Sequence, residues 1–369
     1  MRIGIDASRA AIAARTGTEH YSWEIIRALG ALDRSNDYIL YCNRRPTALP
    51  PLPPNFRLRQ IPLRYTWTHV RLSLEMLRAA PDVLFVPAHA LPLIPAPRSV
   101  VTIHDLGFRY HPEAHTRGQR LYHRLFTALS VRRATQIIAI SEATRRDLQR
   151  FYHLPDEKIT VVYHGVDQRF RPIDDPTTIA AVLQRYGIQP PYLLFVSTIQ
   201  PRKNVARLID AFALARQQAA APEVTLVLAG KRGWLTAEIE RRAAERGIAD
   251  RVRFVGYVAD ADLPALLNGA LAYVLPSLYE GFGMTILEAQ ACGTPVLASN
   301  VAALPEVVGE AGLLVDPYRV ASIADGLTRL LSDAQLRAEL RRRGLAHAAG
   351  WTWERAAQQT LAVLQRAAG

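Results

Sequence analysis

Short apolar runs alternate with amphipathic helical patterns along the chain, and the alternation begins twice. Strands separated by helix-length segments bury their apolar surface as a mostly parallel sheet covered on both faces. The first set places strands at Arg2–Asp6, Tyr38–Cys42, Val83–Val86, Val100–His104, Gln136–Ala139 and Thr160–Val162. Helical patterns fall at Glu19–Leu32, Gly118–Arg133 and Glu142–Tyr152, the last capped by Ser141. The second set places strands at Tyr192–Val196, Val224–Ala229, Val252–Val255, Ala272–Leu275, Pro295–Ala298 and Gly312–Val315. Its helices are Asn204–Gln217, Thr236–Glu245, Met284–Ala291, Ser322–Leu331 and Ala334–Ala348. Between the sets, Gly187-Ile188-Gln189-Pro190-Pro191 stops a helix and stiffens the crossing. The expectation is an α/β chain of two doubly wound domains, 1–188 and 189–350, facing a central cleft. Ligands then belong at the carboxyl ends of the strands. A final helix in 351–369 comes too late for the second sheet and is expected to pack back on the first domain.

Composition narrows the class. A length of 369 residues is too great for one ordinary core, and 49% apolar with 21% charged residues is globular usage, which excludes disorder, collagen and coiled coil. Cys42 and Cys292 are the two cysteines, too few and too far apart for a disulfide framework or a zinc module, so a reducing cytosol fits. The opening residues read as a strand, not as a signal peptide. No apolar stretch approaches the ~20 residues a bilayer crossing needs, so a soluble or peripheral protein is expected. The net charge of +12 is uneven. Residues 1–190 hold 26 Lys and Arg against 16 Asp and Glu, and residues 191–369 hold 19 against 17. Two domains with different partners follow. Only three basic residues are lysines, Lys158, Lys203 and Lys231, and the last two follow predicted strands.

The segment Ser277-Leu278-Tyr279-Glu280-Gly281-Phe282-Gly283-Met284-Thr285-Ile286-Leu287-Glu288-Ala289 follows a strand, turns on two glycines and enters a helix. The helix start offers free N–H groups and positive dipole to a phosphate or a sugar hydroxyl. Gly281 and Gly283 permit close backbone approach to a ligand. Glu280 precedes the turn and should face the cleft. Glu288 lies in an apolar stretch, where a carboxylate needs partners such as the two adjacent hydroxyls of a ribose. A plain capped helix with a surface Glu is the bland alternative, and two Glu with seven residues between them across such a turn weigh against it. Ser197-Thr198-Ile199-Gln200-Pro201-Arg202-Lys203-Asn204 also follows a strand and opens a helix. Two adjacent cations there suit a diphosphate. Without an anion they would oppose the helix dipole.

These segments resemble family 4 of the retaining glycosyltransferases, which have the GT-B fold, and the likeness covers nearly the whole chain. Its carriers are the Glu280–Glu288 pair, Val255-Gly256-Tyr257-Val258, Ala291-Cys292-Gly293-Thr294-Pro295-Val296, Glu306-Val307-Val308-Gly309, Tyr163-His164-Gly165-Val166-Asp167 and the Trp-rich closing helix. The resemblance implies that Glu288 binds the ribose of a nucleotide sugar. It implies that Glu280 and the amides of Gly281, Phe282, Gly283 and Met284 hold the transferred sugar. Thr285 stands where many relatives have Pro and keeps one more N–H. Lys203 matches the family's diphosphate-binding Lys. Thr198 occupies the place of a frequent Arg, whose task falls to Arg202. Gly17, in Arg15-Thr16-Gly17-Thr18-Glu19, resembles the family's glycine loop with Thr16 in place of its first Gly. Lys231 reaches the nucleotide or the sugar, or is a basic surface turn. Tyr257-Val258 sit where the family places the base, with core packing of Tyr257 as the rival. His104 matches a family His at a strand end, where it meets the transferred sugar or the acceptor and Asp105 orients it. His104, His111 and His115 have poor spacing for a metal, and no metal or other cofactor is expected beside the nucleotide-sugar co-substrate.

The resemblance is closest to bacterial mannosyltransferases. It implies retaining, metal-independent transfer of a hexose, mannose from GDP-mannose first, to a glycan or lipid-linked acceptor. UDP-sugars stay open, as does a GT-B epimerase or phosphorylase. Lys203 and Arg202 would stabilise the departing diphosphate. No carboxylate pair flanks the sugar as a hydrolase requires. The basic half has two aromatic–cationic stretches, Arg57–Arg71 and Arg117–Arg133. They fit either an anionic membrane surface at the cytoplasmic face or an ordinary sheet-packed helix. They carry no recognisable nucleic-acid module, so nucleic acid is not expected as a partner.

Overall fold

The computed structural model describes residues 1–12, 17–114, 116–221, 223–231 and 236–369. It divides into two compact units, Met1–Gly165 with Thr352–Gly369, and Val166–Trp351. The first holds strands β1 (Arg2–Asp6), β2 (Asp37–Cys42), β3 (Phe56–Gln60), β4 (Val83–Val86), β5 (Ser99–Ile103), β6 (Gln136–Ala139) and β7 (Ile159–Val161), in the order β3-β2-β1-β4-β5-β6-β7. Every pairing is parallel. β4 and β5 are buried along their whole length, as strands covered on both faces must be. The core continues through Leu84, Val101, Ile103, Ile137 and Val131.

The second unit holds β8 (Tyr192–Val196), β9 (Thr225–Ala229), β10 (Val252–Gly256), β11 (Ala272–Leu275), β12 (Val296–Ser299) and β13 (Leu313–Val315), in the order β10-β9-β8-β11-β12-β13 and parallel throughout. Both orders reverse once, at β1/β4 and at β8/β11. Such a reversal opens a crevice at the carboxyl ends of the two strands, where doubly wound sheets bind ligands.

Three features differ from the sequence reading. β3 is a strand that the cation-rich stretch Arg57-Leu58-Arg59 hid: it is an edge strand with Leu58 half-exposed, so its apolar run is interrupted. The helices Arg71–Ala79, Leu263–Gly269 and Leu304–Val308 were also unexpected. The chain crosses between units at Gly165/Val166, not near residue 188. The Pro176–Arg185 helix packs on the Leu263–Gly269 helix. Arg185 pairs with Asp262 at 2.7 Å, and the Tyr186 hydroxyl donates to Asp262 at 2.8 Å. Residues 166–188 therefore complete the second unit. With this division the first unit carries 25 Lys and Arg against 14 Asp and Glu, a net of +11, and the second 20 against 19.

The closing helix Trp353–Ala368 lies in the first unit against the Gly17–Leu32 helix and strands β4, β5 and β6. Gly165 makes its entry possible. A Cβ there would stand 2.1 Å from the Trp353 nitrogen, so only a residue without a side chain lets the two backbones meet. Among the described residues, no helix is long and apolar enough to cross a membrane.

Candidate functional site

The second unit's switch point gathers the two motifs with the strongest chemical signal. Residues after β8 form a short 3-10 turn, Pro201–Lys203, before the helix Val205–Gln218 begins. Asn204 joins them in the left-handed conformation, φ 60°, and its side chain donates to the carbonyls of Pro276 and Pro317 at 3.0 and 2.7 Å. Asn204 thus ties the β8 loop to the β11 loop and turns Lys203 back from the helix start.

There Lys203 meets Glu280. The Lys203 Nζ lies 2.5 Å from Glu280 Oε1, and Arg202 NH1 lies 2.9 Å from Oε2. The Ser277 hydroxyl donates to Oε1 at 2.7 Å, and Arg202 also donates to the Tyr279 carbonyl at 2.8 Å. Glu280 and Lys203 are both buried. Burial raises the Glu280 carboxyl, and Lys203 and Arg202 outweigh it and hold it at about 2. The cations at this strand end do have an anion, and it is internal. Glu280 does not stand open as the sequence suggested, because a buried ammonium attracts the nearest carboxylate.

Past Glu280 the chain turns on Gly283, φ 99°, where a Cβ would come within 2.9 Å of Leu304. The helix Met284–Ala291 follows, with the amides of Met284 and Thr285 in its first turn. Gly281 and Phe282 are buried beside Glu280. Two turns along, Glu288 is half-buried, and its carboxylate makes no hydrogen bond or ion pair among the described residues. Burial pushes its carboxyl up to about 7; Arg169 pulls it down, and Asp260 and Asp167 push it further up. An unpartnered acid at this depth is an acceptor without its donors.

The remaining second-unit residues are looser. Thr198 is exposed after β8. Gly230 packs so tightly that a Cβ would lie 2.0 Å from the Ser197 carbonyl oxygen. Lys231 is exposed, and its carbonyl accepts from the Ile199 amide at 3.2 Å. Its neighbours Arg232, Gly233 and Trp234 lie outside the described residues. Tyr257 is 57% exposed, so it is no core residue, and its hydroxyl donates to Asp260 at 3.1 Å. Val258 is buried.

In the first unit, His104 follows β5 but is buried, not open. Its Nε2 lies 3.0 Å from the Pro87 carbonyl, and its ring stands edge-on to Tyr21 at 4.9 Å. Asp105 accepts from the Gly107 amide at 2.8 Å, so it caps a turn and acts on His104 only through its charge. Burial lowers the His104 imidazole. Gly17 is the exposed first residue of its helix; Arg15, Thr16 and His115 lie outside the described residues. Among the described residues, no three metal-ligating side chains are grouped. Sequence reasoning missed Ser277 and Asn204 as supports of the Glu280 cluster. Both stood inside the quoted motifs, and only the left-handed turn at Asn204 reveals what they hold.

Comparison with known proteins follows the same residues. Residues 183–347 match the family described as Glycosyl transferases group 1, and residues 15–170 match Glycosyltransferase Family 4. The chain is 36% identical to the O-antigen chain mannosyltransferase B of Escherichia coli over 266 residues, 72% of this chain and 69% of that protein. It is 37% identical to the D-inositol 3-phosphate glycosyltransferase of Jonesia denitrificans over 64% of this chain and 58% of that one, less than two thirds of its length. Its fold is similar to that of the sucrose-phosphate synthase of Thermosynechococcus elongatus, with TM-score 0.77, 21% identity, and coverage of 99% of this chain and 98% of that one. The shared fold is GT-B.

Proposed function

This chain belongs to glycosyltransferase family 4, as a retaining hexosyltransferase, and from that we propose that it moves mannose from GDP-mannose to a glycan or lipid-linked acceptor. The carrying observation is the buried Lys203–Glu280–Arg202 cluster at the β8/β11 switch point. Two cations held against one carboxylate leave a net positive charge where a diphosphate would seat. When the diphosphate arrives, Lys203 and Arg202 transfer their N–H donors to it, and the amides of Gly283, Met284 and Thr285 add to them. Glu280 is released toward the hydroxyls of the sugar. The C1–O bond to the diphosphate breaks as charge grows on an oxygen already faced by fixed donors. The acceptor oxygen bonds C1 on the same face, and its proton passes to the departing phosphate. No metal is required in this scheme. Glu288 accepts from the ribose hydroxyls, and Tyr257 and Val258 flank the base.

The mannose assignment draws on the similarity to a mannosyltransferase and on the Pro-Arg-Lys-Asn and His-Asp-Leu segments. A panel of nucleotides and nucleotide sugars in a thermal-shift assay tests it. Stabilisation by GDP and GDP-mannose but not by UDP is expected. A shift with UDP alone overturns the donor, and donor hydrolysis without transfer overturns the reaction class.

The acceptor side belongs to the basic first unit, and a cytoplasmic membrane face supplies a lipid-linked acceptor. Leu121 and Leu125 stand 68% and 49% exposed among the arginines of the Arg117–Arg133 helix, which supports contact with anionic lipid. Flotation with anionic liposomes at low salt is the check; protein left entirely in the bottom fraction removes the membrane from the proposal.

A further inference from the structure

Buried carboxylates in this chain are held by pairs of cations in two different ways. Glu75 is closed by Arg59 and Arg71, and Asp210 by Arg242 and Arg246. Those four arginines reach in from solvent, their side chains 24% to 52% exposed. At Glu280 one of the cations is itself buried: the Lys203 side chain is 10% exposed, no more than the carboxylate it meets. Burying an ammonium carries a desolvation penalty that an exposed ion pair avoids, so stability alone does not explain Lys203.

The cations keep their places without Glu280. The Arg202 guanidinium donates to the Tyr279 carbonyl at 2.8 Å, and the Arg202 carbonyl accepts from the Leu278 amide at 2.7 Å. Lys203 precedes Asn204, whose side chain is tied to the carbonyls of Pro276 and Pro317. The Glu280 backbone is held as well, its carbonyl accepting from the Ala303 amide at 3.4 Å. The carboxylate hangs on a side chain with about three rotatable bonds and leaves by rotation, the backbones staying in place. Its return restores Lys203 at 2.5 Å, Arg202 at 2.9 Å and the Ser277 hydroxyl at 2.7 Å.

Two cations and one carboxylate sum to a charge of +1. Glu280 and an incoming phosphate therefore compete for the same N–H donors. What comes with the phosphate decides the competition. A diphosphate bearing a sugar brings hydroxyls that donate to the displaced carboxylate, so Glu280 leaves one set of donors for another. A nucleoside diphosphate that has lost its sugar brings none. Its terminal phosphate also gains charge and repels a carboxylate that stays out. Glu280 recovers its partners by returning to Lys203 and Arg202, and the phosphate then loses them.

We propose that Glu280 is an internal competitor for the diphosphate: it yields to a nucleotide sugar, returns once the sugar has been transferred, and so expels the nucleoside diphosphate and turns away anions that carry no sugar. This role rests on the glycosyl-transfer reading and deepens it. A residue that simply binds the donor tightens every ligand it touches, whereas Glu280 tightens the donor and loosens the product.

Calorimetry with inorganic pyrophosphate, which has neither base nor sugar, reads the competition directly. Glu280→Gln keeps the shape and an acceptor oxygen and removes the charge, and it should bind pyrophosphate at least about tenfold more tightly than wild type. Equal or weaker binding by the folded variant overturns the proposal. If that variant does not fold, Ser277→Ala decides. It keeps all three charges and removes one donor from the closed carboxylate, so it should bind pyrophosphate about threefold more tightly, and unchanged binding overturns the proposal. The second arm compares GDP with GDP-mannose. Glu280→Gln should shift the ratio of their affinities toward GDP by at least about tenfold, and an unchanged ratio overturns the expulsion of product. If UDP binds and GDP does not, the donor assignment falls and the same ratio is read with UDP and UDP-glucose. Absence of transfer with every nucleotide sugar would defeat the reaction, and the pyrophosphate titration, which needs no turnover, would still judge the competition.

Discussion

The two sheets reverse their strand order in the same way and charge the reversal differently. At β8/β11 the cations, Lys203 buried and Arg202 half-buried, are already matched, and both close on Glu280. In the first unit the acids gather at the β1/β4 reversal, and four arginines stand unmatched beside it. The second unit is nearly neutral overall and the first carries +11. Fold alone therefore says where ligands go and little about which ones. A matched buried cluster can exchange one anion for another with small change in burial. An unmatched exposed cluster attracts anions from solution and is weakened by salt. The first arrangement suits a substrate that arrives and leaves each turnover.

Breaking the matched cluster should have the largest effect. Lys203→Ala leaves Glu280 buried with Arg202 alone, and Glu280→Ala leaves the Lys203 ammonium buried without its carboxylate. Each should lower kcat by about 10²-fold or more, the scale of losing one preorganised charge partner in a water-poor site. Turnover near wild type in either variant would remove the cluster from catalysis. The same pair sets an acid limit. Glu280 ionises at about 2 in the folded chain, below its ordinary value of 4.5. Its stabilising share is present above 4.5 and fades as pH falls toward 2. Glu280→Gln should flatten that part of a stability–pH curve.

Glu288, two turns further along the chain, tests the opposite sign. Its folded value of about 7 lies above 4.5, so the folded chain holds an extra proton between those limits. Stability then falls as pH rises from 4.5 to 7 and levels off above it. Ribose hydroxyls bind the ionised form better, so donor affinity should improve as pH rises through 7. Glu288→Gln should raise donor KM by about tenfold, leave kcat within about threefold and lose the pH dependence, because the ribose is unchanged at the transition state. A drop in kcat alone would place Glu288 closer to the chemistry than the ribose.

A third prediction concerns the first unit's construction. Gly165→Ala places a methyl where the Trp353 backbone stands, and no flexible side chain can yield there. The last helix must shift from its seat on the Gly17–Leu32 helix. A loss of about 3 kcal/mol by urea unfolding is expected, the upper part of the overpacking range. A loss below about 0.5 kcal/mol, ordinary for surface changes, would mean the helix entry is pliable.

Much of this was legible beforehand, for uneven reasons. Fully buried strands such as β4, β5 and β11 announce themselves because both faces are apolar. The edge strand β3 does not, since its cations belong to solvent. The crossing between units was misplaced because Gly187-Ile188-Gln189-Pro190-Pro191 marks the end of a helix, and a helix end need not be a domain end. Glu280, Lys203 and Glu288 were visible from spacing after strands. The ion pair among the first two was not, because it depends on Asn204 turning left-handed between two loops far apart in sequence. His104 was found by position, but its burial against Tyr21 and Pro87 follows from residues 83 and 17 positions away.

Lys231 gives the smallest effect and the finest cut between the two charge arrangements. It is exposed at the end of β9 and has no ion pair among the described residues, so its state resembles the first unit's arginines more than its neighbour Lys203. A cation in that state can attract a nucleotide phosphate only through solvent, which is worth about 0.2–1 kcal/mol. Lys231→Ala should raise donor KM by about twofold to fivefold at low salt, and the difference should vanish near 0.5 M salt, where the Debye length shrinks to about 4 Å. Lys203→Ala should keep its full defect at that salt. A Lys231 effect that is large and salt-independent would mean the β9 turn closes over the donor, and the contrast between a matched buried cation and a free surface one would no longer separate the two lysines.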